Sequence, residues 1–329
     1  MAGNSRRHTH FDRDAEPLPR PIPAWDAEWI HLGPGPVSSD TARVSFGSGF
    51  FAIFQTSSAG ILRGSTPANS LTFMASLPAA NQPRAHAQPI GGNTGLNWGP
   101  GAALDVYLPD SSGILMFTVP APSPVAAGGN EGLRVQYRTL DTTQTALLSR
   151  CAEALDGIRT AAAASSRSVS GAHRSLLQSA AAALFVDAPL TYGVREPLQR
   201  HRAVIRACAF IDTHLRSSIA LADLCEAAGV CTRALEYGFH DFYELGPMAY
   251  VRNLRLCRVR HDLQGFGHDD DSVSSAARRW SFTHMGQFSH DYRVLFGEMP
   301  SETLARRRRE PAPTMPRERK VVRSSEPRG

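Results

Sequence analysis

The chain has 35 basic residues but a single lysine, Lys320; every other cation is arginine. We read that scarcity as GC-rich coding bias and not as a recognition device. No apolar run approaches the roughly 18 residues that span a bilayer, so no membrane partner is expected. Met1 to Pro23 is polar and proline-rich, with no apolar signal core, so a cytoplasmic protein is expected. The five cysteines are scattered, with no Cys-x-x-Cys pair, which fits a reducing compartment and makes Cys208, Cys225 and Cys257 small core residues. His86 has no His-x-His or Glu-x-x-His spacing around it, so no metal, no cofactor and no metal-dependent enzyme is expected there. Gly91 to Gly95 lacks the lysine and the strand–helix flanks of a phosphate loop.

What is present begins with length: 329 residues suggest about two domains, enough chain for a sizeable core. Charge is unevenly placed. Residues 1–196 hold 14 arginines and 14 carboxylates, whereas residues 197–329 hold 21 basic residues against 16 acidic ones, so the whole excess of +5 lies in the second part. A modest local excess of this kind suits contacts with phosphates.

Residues 1–24 mix charges, histidine and proline and read as a disordered arm. From 25 to 145 the chain reads as strands. Ser70–Leu77 alternates, with Leu71, Phe73, Ala75 and Leu77 on one face, and Arg43–Gln55, Leu104–Leu108 and Gly113–Val119 are further runs. The Gly/Asn/Pro clusters at 91–95 and 97–101 read as turns between them. Many short strands separated by such turns predict an antiparallel sheet or small barrel. Two helices are predicted at Thr142–Ala163 and Gly171–Val186, then a linker over Asp187–Glu196, and Pro197 opens a helix reaching Leu215. The Arg/Pro-rich tail, 309–329, reads as disordered.

Residues 217–308 carry two helix–turn–helix patterns. In the first, Leu221, Leu224 and Cys225 share a helix face, Gly229 makes the turn, Val230 plugs the corner, and Thr232 is placed to cap the next helix. That helix buries Leu235 and Phe239 and turns Arg233, Glu236, Tyr237 and His240 outward. The second unit repeats the plan 52 residues later, from Gly229 to Ser281. Val273, Ala276, Ala277 and Trp280 form its first helix, Phe282 is the plug and Thr283 the predicted cap. Phe288, Tyr292 and Leu295 or Phe296 are the buried side of its second helix; His284, Gln287, Ser289, His290 and Arg293 point outward. Gly297 and Pro300 end it. Between the units, Pro247 to Leu263 keeps a helical rhythm, a rod able to hold two reading heads about one DNA turn, ~34 Å, apart.

Leu221-x-x-Leu224-x-x-x-x-Gly229-Val230, Leu235-x-x-x-Phe239, Gly246-Pro247-x-x-Tyr250-x-x-x-x-Arg255-Leu256, Phe288-x-x-x-Tyr292-Arg293 and Phe296-Gly297-x-x-Pro300-Ser301 together resemble the DNA-binding domain of the AraC/XylS family of bacterial transcription regulators. The resemblance covers roughly the last third of the chain. Glu244 stands where that family usually turns on glycine, Ser281 replaces the turn glycine of the second unit, and His290 sits where arginine is common.

The resemblance implies an α+β protein: an N-terminal antiparallel, cupin-like barrel with helices for effector sensing and dimerisation (25–190), then an all-α domain with two helix–turn–helix motifs joined by a long helix (197–308). It implies a regulator of transcription, an effector-responsive activator that binds double-stranded DNA as a homodimer on the bacterial nucleoid, with RNA polymerase as a further partner. Thr232, Arg233, Glu236, Tyr237, His240, His284, Gln287, Ser289 and His290 are the candidate base or phosphate contacts, and Arg255 and Arg293 the candidate phosphate contacts. The sequence does not name the effector or its site. Two other readings remain: a barrel-based enzyme with an appended DNA-binding domain, and a dimeric regulator that senses nothing.

Overall fold

Twelve strands and nine α-helices form among the described residues, which in this computed structural model are 11–12, 25–36, 39–46, 48–79, 81–86, 88–121, 135–164, 171–185, 199–266 and 272–309. The strands are β1 (Phe11–Asp12), β2 (Asp26–His31), β3 (Ser39–Phe46), β4 (Gly49–Thr56), β5 (Gly60–Ser65), β6 (Ser70–Ser76), β7 (Arg84–Ala85), β8 (Gln88–Pro89), β9 (Thr94–Trp98), β10 (Ala103–Leu108), β11 (Ser112–Pro120) and β12 (Val135–Thr139). They make two antiparallel sheets, ordered β1-β3-β4-β11-β6-β9-β12 and β2-β5-β10-β7-β8. The helices are α1 (Thr142–Ala164), α2 (Gly171–Phe185), α3 (Gln199–His214), α4 (Leu221–Ala228), α5 (Thr232–Tyr243), α6 (Pro247–His261), α7 (Val273–Arg279), α8 (Met285–Phe296) and α9 (Pro300–Arg309).

β4 shows why the two sheets stack. Phe50, Ala52 and Phe54 face inward and join Trp29, Leu62, Trp98 and Val106 in a core shared by both sheets. Phe51 and Ile53 alternate to the other face and pack with Phe73 and Phe117 under α1 and α2, through Leu148, Cys151, Leu155 and Leu177. A strand buried on both faces is apolar throughout, and so its sequence shows no period of two.

The α+β class and the strand-then-helix order are as the sequence predicts. Several boundaries differ. Arg43–Gln55, read as one run, is the hairpin of β3 and β4. The stretch read as turns at 91–101 contains β9, which pairs with β6 and β12. Gly95 is there because a Cβ would lie 2.5 Å from the Phe73 ring; glycine marks close packing inside a strand, not only a turn. Phe11–Asp12, placed in a disordered arm, pairs with β3. Pro300 does more than stop a helix: it opens α9, which runs to Arg309, since proline suits the first turn, where its missing N–H is not needed. The predicted linker 187–196 and the tail beyond 309 lie outside the described residues. No described helix is long and apolar enough to cross a membrane.

The outer face of the five-stranded sheet is covered by the C-terminal helices. Ile30, Leu32, Ile61 and Tyr107 belong to the same core as Ile211, Tyr250, Leu254 and Phe296. Polar ties run along this seam. Arg63 on β5 reaches Tyr250 Oη (2.9 Å), Asp212 (2.8 Å) and Glu28 (3.1 Å). Tyr243 donates to Asp105 at 2.7 Å, and Asn253 to the Leu32 carbonyl at 3.1 Å.

At one end of the seam two buried histidines meet. His86 follows β7 and His201 begins α3; their ring centroids lie 5.5 Å apart, and His201 also stacks near Phe242. Burial pulls His86 down to about 3, helped by His201, and burial pulls His201 down to about 4, from an ordinary 6.5. The unfolded chain therefore binds more protons below pH 6.5, so stability is full above that value and is lost as pH falls toward 4. The slope is at most about 1.4 kcal/mol per pH unit for each ring. His201→Phe keeps the ring but cannot charge; its melting temperature is expected to fall less than that of wild type between pH 6.5 and 4. Parallel profiles would exclude His201 as an origin of the loss.

Candidate nucleic-acid interface

α4 and α5 form the first helix–turn–helix. Leu224 and Ala228 are buried on α4, and Leu235, Phe239 and Phe242 on α5. Gly229 adopts φ +66 at the turn, and Arg206 on α3 closes the last turn of α4 by donating to the Ala228 carbonyl. Thr232, Arg233, Glu236, Tyr237 and His240 are all exposed. Their spacing places them on one side of α5, opposite Leu235 and Phe239. Arg233 lies over the Tyr237 ring at 5.5 Å and bonds its hydroxyl at 3.4 Å, so the two form one projecting group. Tyr237 is 55% exposed.

Thr232 is not the cap. Cys231 holds the extended N-cap conformation, with no side-chain cap bond, and Thr232 is the first helical residue, its hydroxyl 3.6 Å from Cys225 Sγ. The second unit departs in the same way: His284, not Thr283, is the N-cap of α8. A hydroxyl placed one residue into or before the cap points away from the free N–H groups it was expected to meet.

α7 and α8 form the second unit. Ala276, Ala277, Phe288, Tyr292, Leu295 and Phe296 are buried, while His284, Gln287, His290 and Arg293 are exposed and Ser289 is half-buried. Ser281 turns the chain at φ +62, and its hydroxyl donates to the Arg216 carbonyl at 2.5 Å. That bond offsets the strain of a positive φ in a residue with a Cβ. Glu244 does likewise at the end of α5, at φ +58; its carboxylate takes hydrogen bonds from Arg84 (2.6 Å) and Tyr107 (2.8 Å) of the sheet.

The fold adds a partner that the sequence alone does not reveal. Asp291 holds Gln287 at 2.7 Å and stands 3.6 Å from Arg252 on α6. The i, i+4 spacing of Gln287 and Asp291 was the available signal. These residues border a groove of about 430 Å³ between α6 and the α7–α8 turn, lined also by Met248, Ser281 and His284. Arg255 has internal partners: its Nε donates to the Leu215 carbonyl (3.0 Å) and its Nη2 to the Ser217 carbonyl (2.5 Å), tying α6 to the end of α3.

Two helix–turn–helix units, each with a polar outward second helix, define a DNA-binding domain. A helix-turn-helix domain family model matches residues 224–306. The chain is 31% identical over 124 residues to the probable thc operon regulatory protein of Rhodococcus erythropolis, covering 37% of each chain. It is 37% identical over 103 residues to the XylDLEGF operon transcriptional activator 3 of Pseudomonas putida, covering 31% of each. A solved structure of a probable AraC family transcriptional regulator from Rhodopseudomonas palustris is 31% identical, covering 32% of this chain and 96% of that one, with a TM-score of 0.30. The matched region thus spans about a third of the length of these curated relatives. The C-terminal third of the chain is thus similar to the helix-turn-helix domain of these transcription regulators.

Proposed function

We propose that the chain is a sequence-specific transcriptional regulator that reads two adjacent major-groove segments, one with α5 and one with α8. The observation that carries this reading is the pair of exposed polar helix faces, each backed by its own buried apolar side, on one continuous core. Arg233 is suited to guanine O6/N7, Gln287 to adenine N6/N7, and Glu236 to cytosine N4. Thr232, Tyr237, His240, His284, Ser289, His290 and Arg293 complete the surface, with Arg255 in a supporting position.

The divisions we propose are an arm (1–24), an effector-sensing and dimerisation domain (25–190), the DNA-binding domain (197–308) and a basic tail (309–329). In this reading a small molecule binds the N-terminal domain and shifts the population of arrangements in which two subunits meet their half-sites together. Relatives described as operon transcriptional activators favour activation, with RNA polymerase as the partner at the promoter. The protein would act in the cytoplasm on the nucleoid.

Selection of bound genome fragments at near-physiological salt tests the reading. Enriched fragments should share two blocks about one helical turn, ~34 Å, apart. Fragments without a shared motif, lost steeply as salt rises, would leave only non-specific phosphate binding. Arg233→Ala should cost about 1–3 kcal/mol on the selected site and relax preference at one base position. Equal weakening on every sequence would make Arg233 a phosphate contact.

A further inference from the structure

The second reading helix carries a carboxylate where its counterpart in the first unit has no polar side chain. Aligning Leu235-x-x-x-Phe239 with Phe288-x-x-x-Tyr292 sets Ala234 and Gly238 at the positions of Gln287 and Asp291. Gly238 packs so closely on α3 that a Cβ would lie 2.9 Å from Val204 Cγ2. Asp291 instead faces α6, with 14% of its side chain exposed. Its Oδ1 accepts from Gln287 Nε2 at 2.7 Å, and its Oδ2 lies 3.6 Å from Arg252 Nη1. Packing of a helix–turn–helix does not demand this arrangement, since α5 packs without it.

The contact fixes the amide. A carboxamide has an acceptor oxygen and a nitrogen with two hydrogens, and a half-turn about its last bond exchanges the two ends. A carboxylate only accepts, so Asp291 takes the nitrogen and turns Oε1 away from itself. One N–H is consumed; Oε1 and the second N–H remain. In the major groove adenine offers the N6 amino group as donor and N7 as acceptor, which one acceptor and one donor complement. Guanine offers two acceptors, O6 and N7. A fixed Oε1 meets an acceptor there, whereas an amide free to turn can bring an N–H to either atom. Gln287 is exposed and borders the groove of about 430 Å³ with Asp291 and Arg252, so its free edge has space to meet a base. Arg252 also offsets the charge of Asp291, which would otherwise repel nearby phosphates.

We propose that Asp291 is a specificity-determining positioning residue of the second reading head. It holds the Gln287 amide in the orientation that accepts adenine and rejects guanine at one base position. The proposal rests on the reading of α8 as a major-groove helix and adds to it the choice between the two purines. Asp291 acts through Gln287 and touches no base itself. Arg252 keeps the carboxylate in place from α6, so the connecting helix helps to fix the aim of the second head.

The test uses the full chain and the DNA fragment that selection returns for the wild type, with each base pair beneath α8 changed in turn. One A·T position is expected at which replacement by G·C weakens wild-type binding about fivefold or more. Gln287→Ala should bring that ratio near one by losing affinity for adenine. Asp291→Asn keeps the shape but can donate as well as accept. It should bring the ratio near one mainly by gaining affinity for guanine, with the preferences beneath α5 unchanged. Should that variant fail to fold, Asp291→Ser, whose hydroxyl also donates or accepts, gives the same readout. A full wild-type ratio in either folded Asp291 variant overturns the proposal. Equal weakening of those variants on every sequence also overturns it, because Asp291 would then only support the fold. An unchanged ratio in Gln287→Ala excludes Gln287 as a reader and overturns the proposal while leaving the two-block reading intact. Only the absence of any shared sequence in the wild-type selection would overturn both together.

Discussion

Arg63→Met is expected to lower folding stability by about 3 kcal/mol, measured by chemical denaturation of the full chain, because it leaves buried acids and hydroxyls without their shared cation. Arg63 sits on β5 directly opposite Asp105 of β10, and its guanidinium joins β2, α3 and α6 through Glu28, Asp212 and Tyr250. Its side chain is 16% exposed, while that of Asp212 is 44% exposed and can turn to water; Glu28 keeps Arg258. The uncompensated group is therefore Asp105. Burial already raises its carboxyl above the usual range, and Tyr243 and Arg63 oppose that rise. Hence Asp105→Asn, added to Arg63→Met, should recover part of the loss. The coupling between the two is the measured quantity. A loss for Arg63→Met below about 0.5 kcal/mol, with no coupling, would show that water replaces the cation and that the seam is held by its apolar side alone.

The helix–turn–helix pair was legible because its signals are local. Gly229, Gly297, Leu235–Phe239 and Phe288–Tyr292 sit at fixed spacings within single helices, and periodicity assigns each side chain to a face. The outward residues of α5 follow from that phase, and all five are exposed. The caps were misplaced by one residue because Thr at 232 and 283 satisfies the cap preference in composition while the backbone turns at Cys231 and His284. The sheets were half legible. β6 shows its pattern, whereas β9 is hidden by Gly95 and Asn97, and the need for Gly95 comes from Phe73 of the neighbouring strand. The seam was not legible at all. Glu28, Arg63, Asp105 and Asp212 look like ordinary solvated charges until strand pairing and the docking of α3 and α6 bring them together, Arg63 and Tyr250 across a separation of 187 residues. The same holds for Glu244, which reads as a poor residue for a left-handed turn. Its carboxylate bonds to Arg84 and Tyr107 explain why a side chain is present where glycine would be less strained.

Asp262→Ala is expected to cost about 2–3 kcal/mol, because it removes the acceptor of two buried or half-buried donors at once. Asp262 begins the π-helical turn Asp262–Phe266 that follows α6 and is 7% exposed. It accepts from Trp280 Nε1 at 2.8 Å and from Arg279 at 2.7 Å, fastening the end of the connecting helix to the end of α7. Trp280 is 9% exposed, with Arg216 of the chain after α3 lying 4.8 Å over its ring. The loss should fall on the second unit and leave α4–α5, which pack on α3, in place. On a selected DNA site, Asp262→Ala should then shorten the protected region to the block beneath α5, while Asp262→Asn, which keeps one acceptor oxygen, should shorten it less. Loss of both blocks together, at the same protein concentration, would have a different meaning. It would show that α6 and the sheet beneath it bind the two heads into one cooperative unit, so that neither reads DNA without the other. The shared core of α3 to α9 with Ile30, Leu32 and Ile61 makes that alternative physically reasonable, and the extent of protection decides between the two.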